Sequence, residues 1–382
     1  VIWKRQAEPM NSDTAYVETH DGVVVLQGLC AGEKCEGSRA VLALRAEDGA
    51  RLWQFEPDNP VWNLMAMFPQ DDTLVFQDFH SVTYRLGLHN GSLIWKAGGN
   101  HSKIQTWSDG GCILGNNGVV YSVSSKAHIS NHTPTAGGGV HAYRLADGQL
   151  LWEKDMERPV FTWPVVGRLA GRSDYSVIVA VGANAYFPWN FVAMMAGLML
   201  IPLGLMLGLV WSLCCCCRGG CCQLAKRLTA CGLLGMLAAA GIVVAYLRGA
   251  AFPLGNFYAE IYALNAETGE QQWVYRLPEW KLWHAAGDWE GALQRLLSAP
   301  QRPVCLPAAY SSPTLDAAGT VYVGYMDGTL LALRDANGDG VVAGEGEVSA
   351  TKTQSAFLHS GAVLVPGLFA VTNCDSLYVW KT

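Results

Sequence analysis

The sequence predicts an all-β protein, a β-propeller of about six four-stranded blades closed by its terminal strands, with a two-helix transmembrane hairpin inserted in one blade. Three observations predict it. One hairpin motif recurs in phase along the chain. Two long segments carry no charge. The 382 residues include 14 Trp and 42 Gly, yet only 15% are charged against 51% hydrophobic.

The hairpin motif occurs at Val41–Trp53, Val82–Trp95, Val140–Trp152 and Ile261–Trp273. Each copy alternates apolar residues, turns through polar residues, reaches a Gly, and places a Trp four residues later. The glycines are Gly49, Gly91, Gly148 and Gly269, and the tryptophans Trp53, Trp95, Trp152 and Trp273 are the expected blade-closing residues. Alternation marks strands with one buried face. Asp-Gly or Asn-Gly supplies the turn, because Gly accepts a positive φ without a Cβ clash. Chance explains one such match, not four in the same frame.

A second motif, Ser311 to Leu333, reads as three strands joined by two turns, with weaker copies at Phe161–Pro164, Cys112–Val123 and Gly367–Trp380. On these residues the chain resembles the pyrroloquinoline-quinone-like (PQQ-like) repeat family over about residues 14–188 and 252–382. The resemblance implies a propeller of four-stranded blades on a period of about 40 residues. Four blades end at the four tryptophans. A fifth runs from about Tyr310 to Ala350 without a Trp, and a sixth, Ala356–Trp380, supplies three strands. Val1–Arg5 is the expected fourth strand of that sixth blade, joining the termini and leaving no open sheet edge.

Phe191–Leu213 and Leu228–Leu247 are uncharged and long enough to cross a bilayer core as helices. The expected division is therefore 1–188 propeller, 189–250 transmembrane hairpin, 251–382 propeller. Arg218, Lys226 and Arg227 put loop 214–227 on the cytoplasmic, stromal or matrix side and the propeller on the lumenal side, by the positive-inside tendency. Gly204 with Gly208, and Gly235 with Ala239, offer small-residue stripes for helix packing, against each other or against a partner.

A net charge of −6 argues against nucleic-acid binding. Of the twelve Cys, seven lie between Cys214 and Cys231; Cys30 and Cys35 flank a short loop and form either a disulfide or two free thiols. Loop cysteines 214–222 suit acylation, a metal or plain apolar packing. Asp335, Asn337 and Asp339, followed by Gly340, Val341, Glu345 and Glu347, place oxygen donors as a calcium loop does, although position twelve is Gly346 where a Glu is needed. The alternatives are a structural calcium or a plain Asx-rich turn. Residues Glu279–Ala299 read as an amphipathic insert.

Enzymes of the resembled family are larger propellers with an adjacent-Cys ring beside the quinone and a calcium-bound catalytic set. Here the adjacent Cys pairs lie only in loop 214–222, so no catalytic residue and no quinone are expected. The reading is a structural, assembly or interaction subunit of a larger membrane complex, with a photosynthetic or respiratory membrane as a candidate host. Its expected partners are integral and lumenal subunits and the bilayer. The alternative is a membrane-bound quinoprotein-type oxidoreductase.

Overall fold

The repeated hairpins fold as antiparallel sheets. The computed structural model describes residues 1–5, 16–28, 40–61, 64–99, 108, 110–126, 137–182, 206, 237, 258–281, 285–287, 310–357 and 361–382. Blade 1 is β1 (Val17–His20), β2 (Val23–Gly28), β3 (Ala40–Arg45) and β4 (Arg51–Phe55). Blade 2 is β5 (Thr73–Gln77), β6 (Val82–Gly87) and β7 (Leu93–Gly98), with its innermost strand reduced to a bridge between Met67 and Val75. Blade 3 is β8 (Cys112–Leu114), β9 (Val119–Ser125), β10 (Gly138–Arg144) and β11 (Leu150–Met156). Blade 4 is β12 (Val165–Arg168), β13 (Tyr175–Gly182), β14 (Ala259–Asn265) and β15 (Gln271–Arg276). Blade 5 is β16 (Thr314–Leu315), β17 (Val321–Gly324), β18 (Thr329–Leu333) and β19 (Val348–Lys352); blade 6 is β20 (Val363–Val365), β21 (Leu368–Thr372) and β22 (Leu377–Lys381). In every sheet, neighbours in sequence are neighbours in space.

The Gly-x-x-x-Trp motif builds the junction between consecutive blades. In each hairpin the Gly N–H donates back four residues, as from Gly49 to the Arg45 carbonyl at 2.9 Å and from Gly148 to the Arg144 carbonyl at 2.8 Å. A β-bulge follows at the same place in blades 1 to 4. The Trp then leaves its own blade and lies on the turn Gly of the next. Trp53 lies on Gly91, Trp95 on Gly148 and Trp152 on Gly269. Each indole N–H donates to the carbonyl three residues before that Gly: Trp53 to Leu88 at 2.7 Å, Trp95 to Leu145 at 2.7 Å, Trp152 to Ala266 at 3.0 Å. A Cβ on these glycines would stand 2.7 to 2.8 Å from the ring, and their φ values are +66 to +73°, so two constraints demand Gly.

Apolar residues between sheets complete the junctions. Val23, Val25, Val41 and Ala43 of blade 1 pack with Leu74, Phe76, Tyr84 and Leu86 of blade 2. Tyr121, Val123, Val140 and Ala142 of blade 3 meet Val177, Val179 and Val181 of blade 4. Phe357, Phe369 and Val371 close blade 6 onto blade 5 at Leu330 and Tyr322.

Two expectations about the chain's course need revision. Val1–Arg5 joins no sheet, and β22 forms the edge of a three-stranded blade 6. Trp3 nevertheless makes the junction contact, donating to the Ala46 carbonyl at 2.8 Å and lying on Gly49. The second revision concerns location. Among the described residues no helix is long and apolar enough to cross a membrane. The expected integral membrane protein with two spanning helices is therefore corrected, and the bilayer, integral subunits and a lumenal orientation lose their basis as expectations. Apolar length measures whether a segment fits a bilayer core, not whether it enters one. Apart from the helical residues Met206 and Leu237, both apolar segments lie outside the described residues.

The chain divides into two compact units. One holds the six sheets, and the other takes Ala185–Asn256 and Trp280–Leu306. Strands β13 and β14 pair along their length although residues 183–258 intervene, so a long insertion leaves the ladder of blade 4 intact.

Candidate functional site

Blade 5 departs from the repeat where the calcium-like loop sits. Asp335 holds the position whose carbonyl accepts the indole in blades 2 to 4, but Trp273 does not reach it. Among the described residues the Trp273 N–H has no partner, although the residue is 1% exposed. The loop replaces the short Gly turn and is knotted by its own acids. The buried Asp335 carboxylate accepts N–H groups from Gly338 at 2.9 Å and Gly340 at 3.1 Å, and the Arg172 guanidinium lies 3.8 Å away. Glu347 accepts from Ala336 and Ala343, each at 3.1 Å. Asn337 and Asp339 bond to each other, Asp339 also accepts the Val341 N–H, and Val341 is exposed. Asp335 and Glu347 are thus both turned toward backbone donors of one loop. Glu345 is exposed. The residues are the oxygen donors calcium takes. Three of these acids do not bring ligand atoms within 4.8 Å of one another.

Other sequence-derived sites lie outside the described residues: Cys30 and Cys35, Gly204 and Gly208, Gly235 and Ala239, and the loop cysteines 214–222. Of the 279–299 insert, 279–281 and 285–287 are described.

Beside an apolar cluster of Val75, Trp95, Cys112 and Val120, the junction of blades 2 and 3 carries buried polar contacts. Ser122 donates to the Gln77 amide oxygen at 2.6 Å, and the Gln77 amide donates to the Val123 carbonyl at 2.9 Å. Ser124 Oγ lies 3.1 Å from His141 Nε2, and His141 Nδ1 lies 3.8 Å from Glu153. A Cβ at Gly139 would stand 3.0 Å from both Ser124 Oγ and His141 Nε2, so Gly139 leaves room for that pair. The order Ser, His, Glu is that of a hydrolase triad. Ser124 is only 4% exposed and its hydroxyl is enclosed between strands, so its role here is structural. Nearby, buried Asp78 accepts from Asn59 and Tyr84 at 2.9 Å and from the N–H groups of His80 and Val82 at 3.0 Å, tying the 58–59 loop to β6. Burial raises its carboxyl above the usual carboxylate range. On β1, burial pushes the Glu18 carboxyl up to about 7.

Blade 6 differs from its neighbours on the face away from blade 5. Val363, Val365, Leu368, Leu377 and Val379 share that face by register and are exposed, Val363 at 60% and Leu377 at 65%. The central strands of blades 1 to 4 are buried or half-buried on both faces. Among the described residues, blade 6 also lacks the fourth strand that blades 1, 3, 4 and 5 possess. Exposed aliphatic side chains gathered on one sheet face are a character that interaction surfaces share.

One cluster escaped the sequence reading. Asp21, Asp72 and His89 bring their ligand atoms within 4.8 Å of one another, the only such group of three among the described residues. The readable signal was Asp72, which stands where the repeat has a glycine.

Comparison with known proteins agrees with this architecture. A family model described as outer membrane protein assembly factor BamB, of the PQQ-like repeat type, matches residues 1–182. No curated protein matches by sequence. Among solved structures, a europium-containing methanol dehydrogenase is 11% identical, with a TM-score of 0.51 over 97% of this chain and 63% of that one. The quinohemoprotein alcohol dehydrogenase ADHIIG from Pseudomonas putida HK5 is 11% identical, with a TM-score of 0.50 over 96% of this chain and 51% of that one. BamB from Moraxella catarrhalis is 12% identical, with a TM-score of 0.49 over 98% of this chain and 74% of that one. The chain thus spans about half to three quarters of these proteins. At such identity the likeness to the two dehydrogenases shows the fold.

Proposed function

We propose that this PQQ-type repeat propeller is a structural or assembly subunit of a larger protein complex, and that a partner protein docks on the exposed aliphatic face of blade 6. The bare face carries the reading: Val363, Val365, Leu368, Leu377 and Val379 are exposed together on one side of the sheet. An apolar partner surface laid on this face would remove the aliphatic side chains from water. The match of residues 1–182 to an assembly-factor family supports the same class of role. The alternative, a quinoprotein-type oxidoreductase, rests on likeness of fold, and fold does not fix function.

The proposal includes a calcium ion in a structural role in the 335–347 loop, carried by the donor set of Asp335, Asn337, Asp339 and Glu347. Calcium bound there raises thermal stability, and Asp339→Asn removes the rise; a parent chain insensitive to calcium removes the ion from the account.

Affinity capture from the native source tests the partner. The parent chain is expected to retain a stoichiometric protein that Leu377→Glu with Val379→Glu loses while its circular dichroism is unchanged. Equal capture by both chains overturns blade 6 as the docking face.

A further inference from the structure

We propose that Asp21, Asp72 and His89 form a divalent metal site that joins blades 1 and 2. Asp21 sits in the turn between β1 and β2, Asp72 immediately before β5, and His89 in the turn between β6 and β7. Their ligand atoms lie within 4.8 Å of one another, and His89 Nε2 is 3.2 Å from Asp21 Oδ2. Ligand atoms about 2.1 Å from one ion stand about 3.0 Å apart in octahedral and about 3.4 Å apart in tetrahedral geometry. The His89–Asp21 spacing of 3.2 Å falls between those values. Two carboxylates and an imidazole suit a first-row divalent cation such as manganese or zinc.

The turns that carry the ligands are held by backbone bonds. The Leu88 N–H donates to the Asp72 carbonyl at 2.8 Å, and the Leu88 carbonyl accepts the Trp53 indole from blade 1 at 2.7 Å. His89, next in sequence, is thereby fixed against both Asp72 and blade 1. All three side chains are exposed, so an ion has access.

Asp72 is the residue that departs from the repeat. It adopts φ +59°, where the residues heading the second strands of blades 1, 3 and 5 are Gly22, Gly118 and Gly319 at +73, +72 and +81°. The backbone equivalence is direct: the Leu88-to-Asp72 bond matches Ala46 to Gly22 at 2.8 Å and Leu145 to Gly118 at 2.9 Å. A carboxylate thus occupies a left-handed position that blades 1, 3 and 5 give to glycine, and it is directed to the same point as Asp21 and His89. The acid serves no repeat contact, and a bound cation accounts for it.

Manganese(II) is the probe, because the loop cysteines 214–222 favour zinc. Calorimetric titration and manganese electron paramagnetic resonance are run on the full chain after chelator treatment. The parent is expected to bind one ion more than His89→Ala, and one more than Asp72→Gly. Asp335→Asn is expected to keep this ion, which separates the site from the 335–347 loop. Asp72→Gly also carries an opposing sign: glycine relieves the left-handed position, so the ion-free melting temperature rises by about 1 °C or more while the manganese-dependent rise of about 3 °C at a hundredfold excess over Kd disappears. A parent chain that binds no manganese, or His89→Ala and Asp72→Gly chains that bind as many ions as the parent, overturns the site.

Discussion

Trp95 and Trp273 occupy equivalent places in their blades, yet among the described residues one indole has an acceptor and the other has none. That difference predicts different costs for the same substitution. Trp95→Phe loses a bond and leaves the Leu145 carbonyl to the Arg85 guanidinium alone, whereas Trp273→Phe removes a buried donor that was already unpaired. Trp273→Phe should therefore cost about 1 kcal/mol less than Trp95→Phe in denaturant unfolding. Equal costs would show that the indole bond contributes nothing at the junction. Glu18 gives a second test at this scale. Its folded carboxyl is raised to about 7 from an ordinary 4.5, so the folded chain holds its proton over that interval and the unfolded chain does not. Stability is therefore lost as pH rises from about 4.5 to about 7 and stays low above it. Glu18→Gln should leave stability at pH 4 unchanged and raise it at pH 8 by about 1 kcal/mol, solvent screening having reduced the effect of a half-exposed group. A variant that is no more stable than the parent at pH 8 contradicts the burial account. Neither effect was legible in sequence, because both depend on what a neighbouring strand brings near.

The blade hairpins were the most legible elements, because each is specified locally: alternation gives strands, and the Gly turn gives the hairpin. What the Trp does was not legible. It reads as closing its own blade, but it lies on the turn of the following blade, a contact between residues far apart in the chain. The turn glycines carry that contact, and two of them separate its parts. Gly148→Ala introduces a Cβ 2.8 Å from the Trp95 ring at φ +72°, whereas Gly118→Ala meets nothing within 4 Å at the same φ. The first should cost about 2–4 kcal/mol and the second about 1 kcal/mol, read by thermal or denaturant unfolding. Similar losses would reduce the glycine requirement to backbone angle alone. In blade 5 the calcium-like spacing of the donors was legible, whereas the backbone N–H groups that the Asp335 and Glu347 carboxylates accept depend on the folded course of the loop. The apolar segments at 191–213 and 228–247 illustrate a related limit, since hydropathy reports solubility in a bilayer and not the fold in which the residues take part.

At the scale of the whole molecule, repetition made the six sheets of the described residues countable from sequence. Which face of blade 6 is bare follows only from register: Val363, Val365, Leu368, Leu377 and Val379 alternate onto one side while Phe369, Val371 and Trp380 pack on blade 5. Exposed aliphatic residues on one sheet face are a liability in isolation and a binding surface in an assembly. The junctions of blades 1 to 4, clasped by indoles, make a firm base for it. Native mass measurement of the protein from its own source, without denaturant, tests the central claim most directly. The account predicts a stoichiometric assembly well above the 41.2 kDa of one chain, with a partner protein released together with it. A monodisperse species of 41.2 kDa with no co-migrating protein would contradict it.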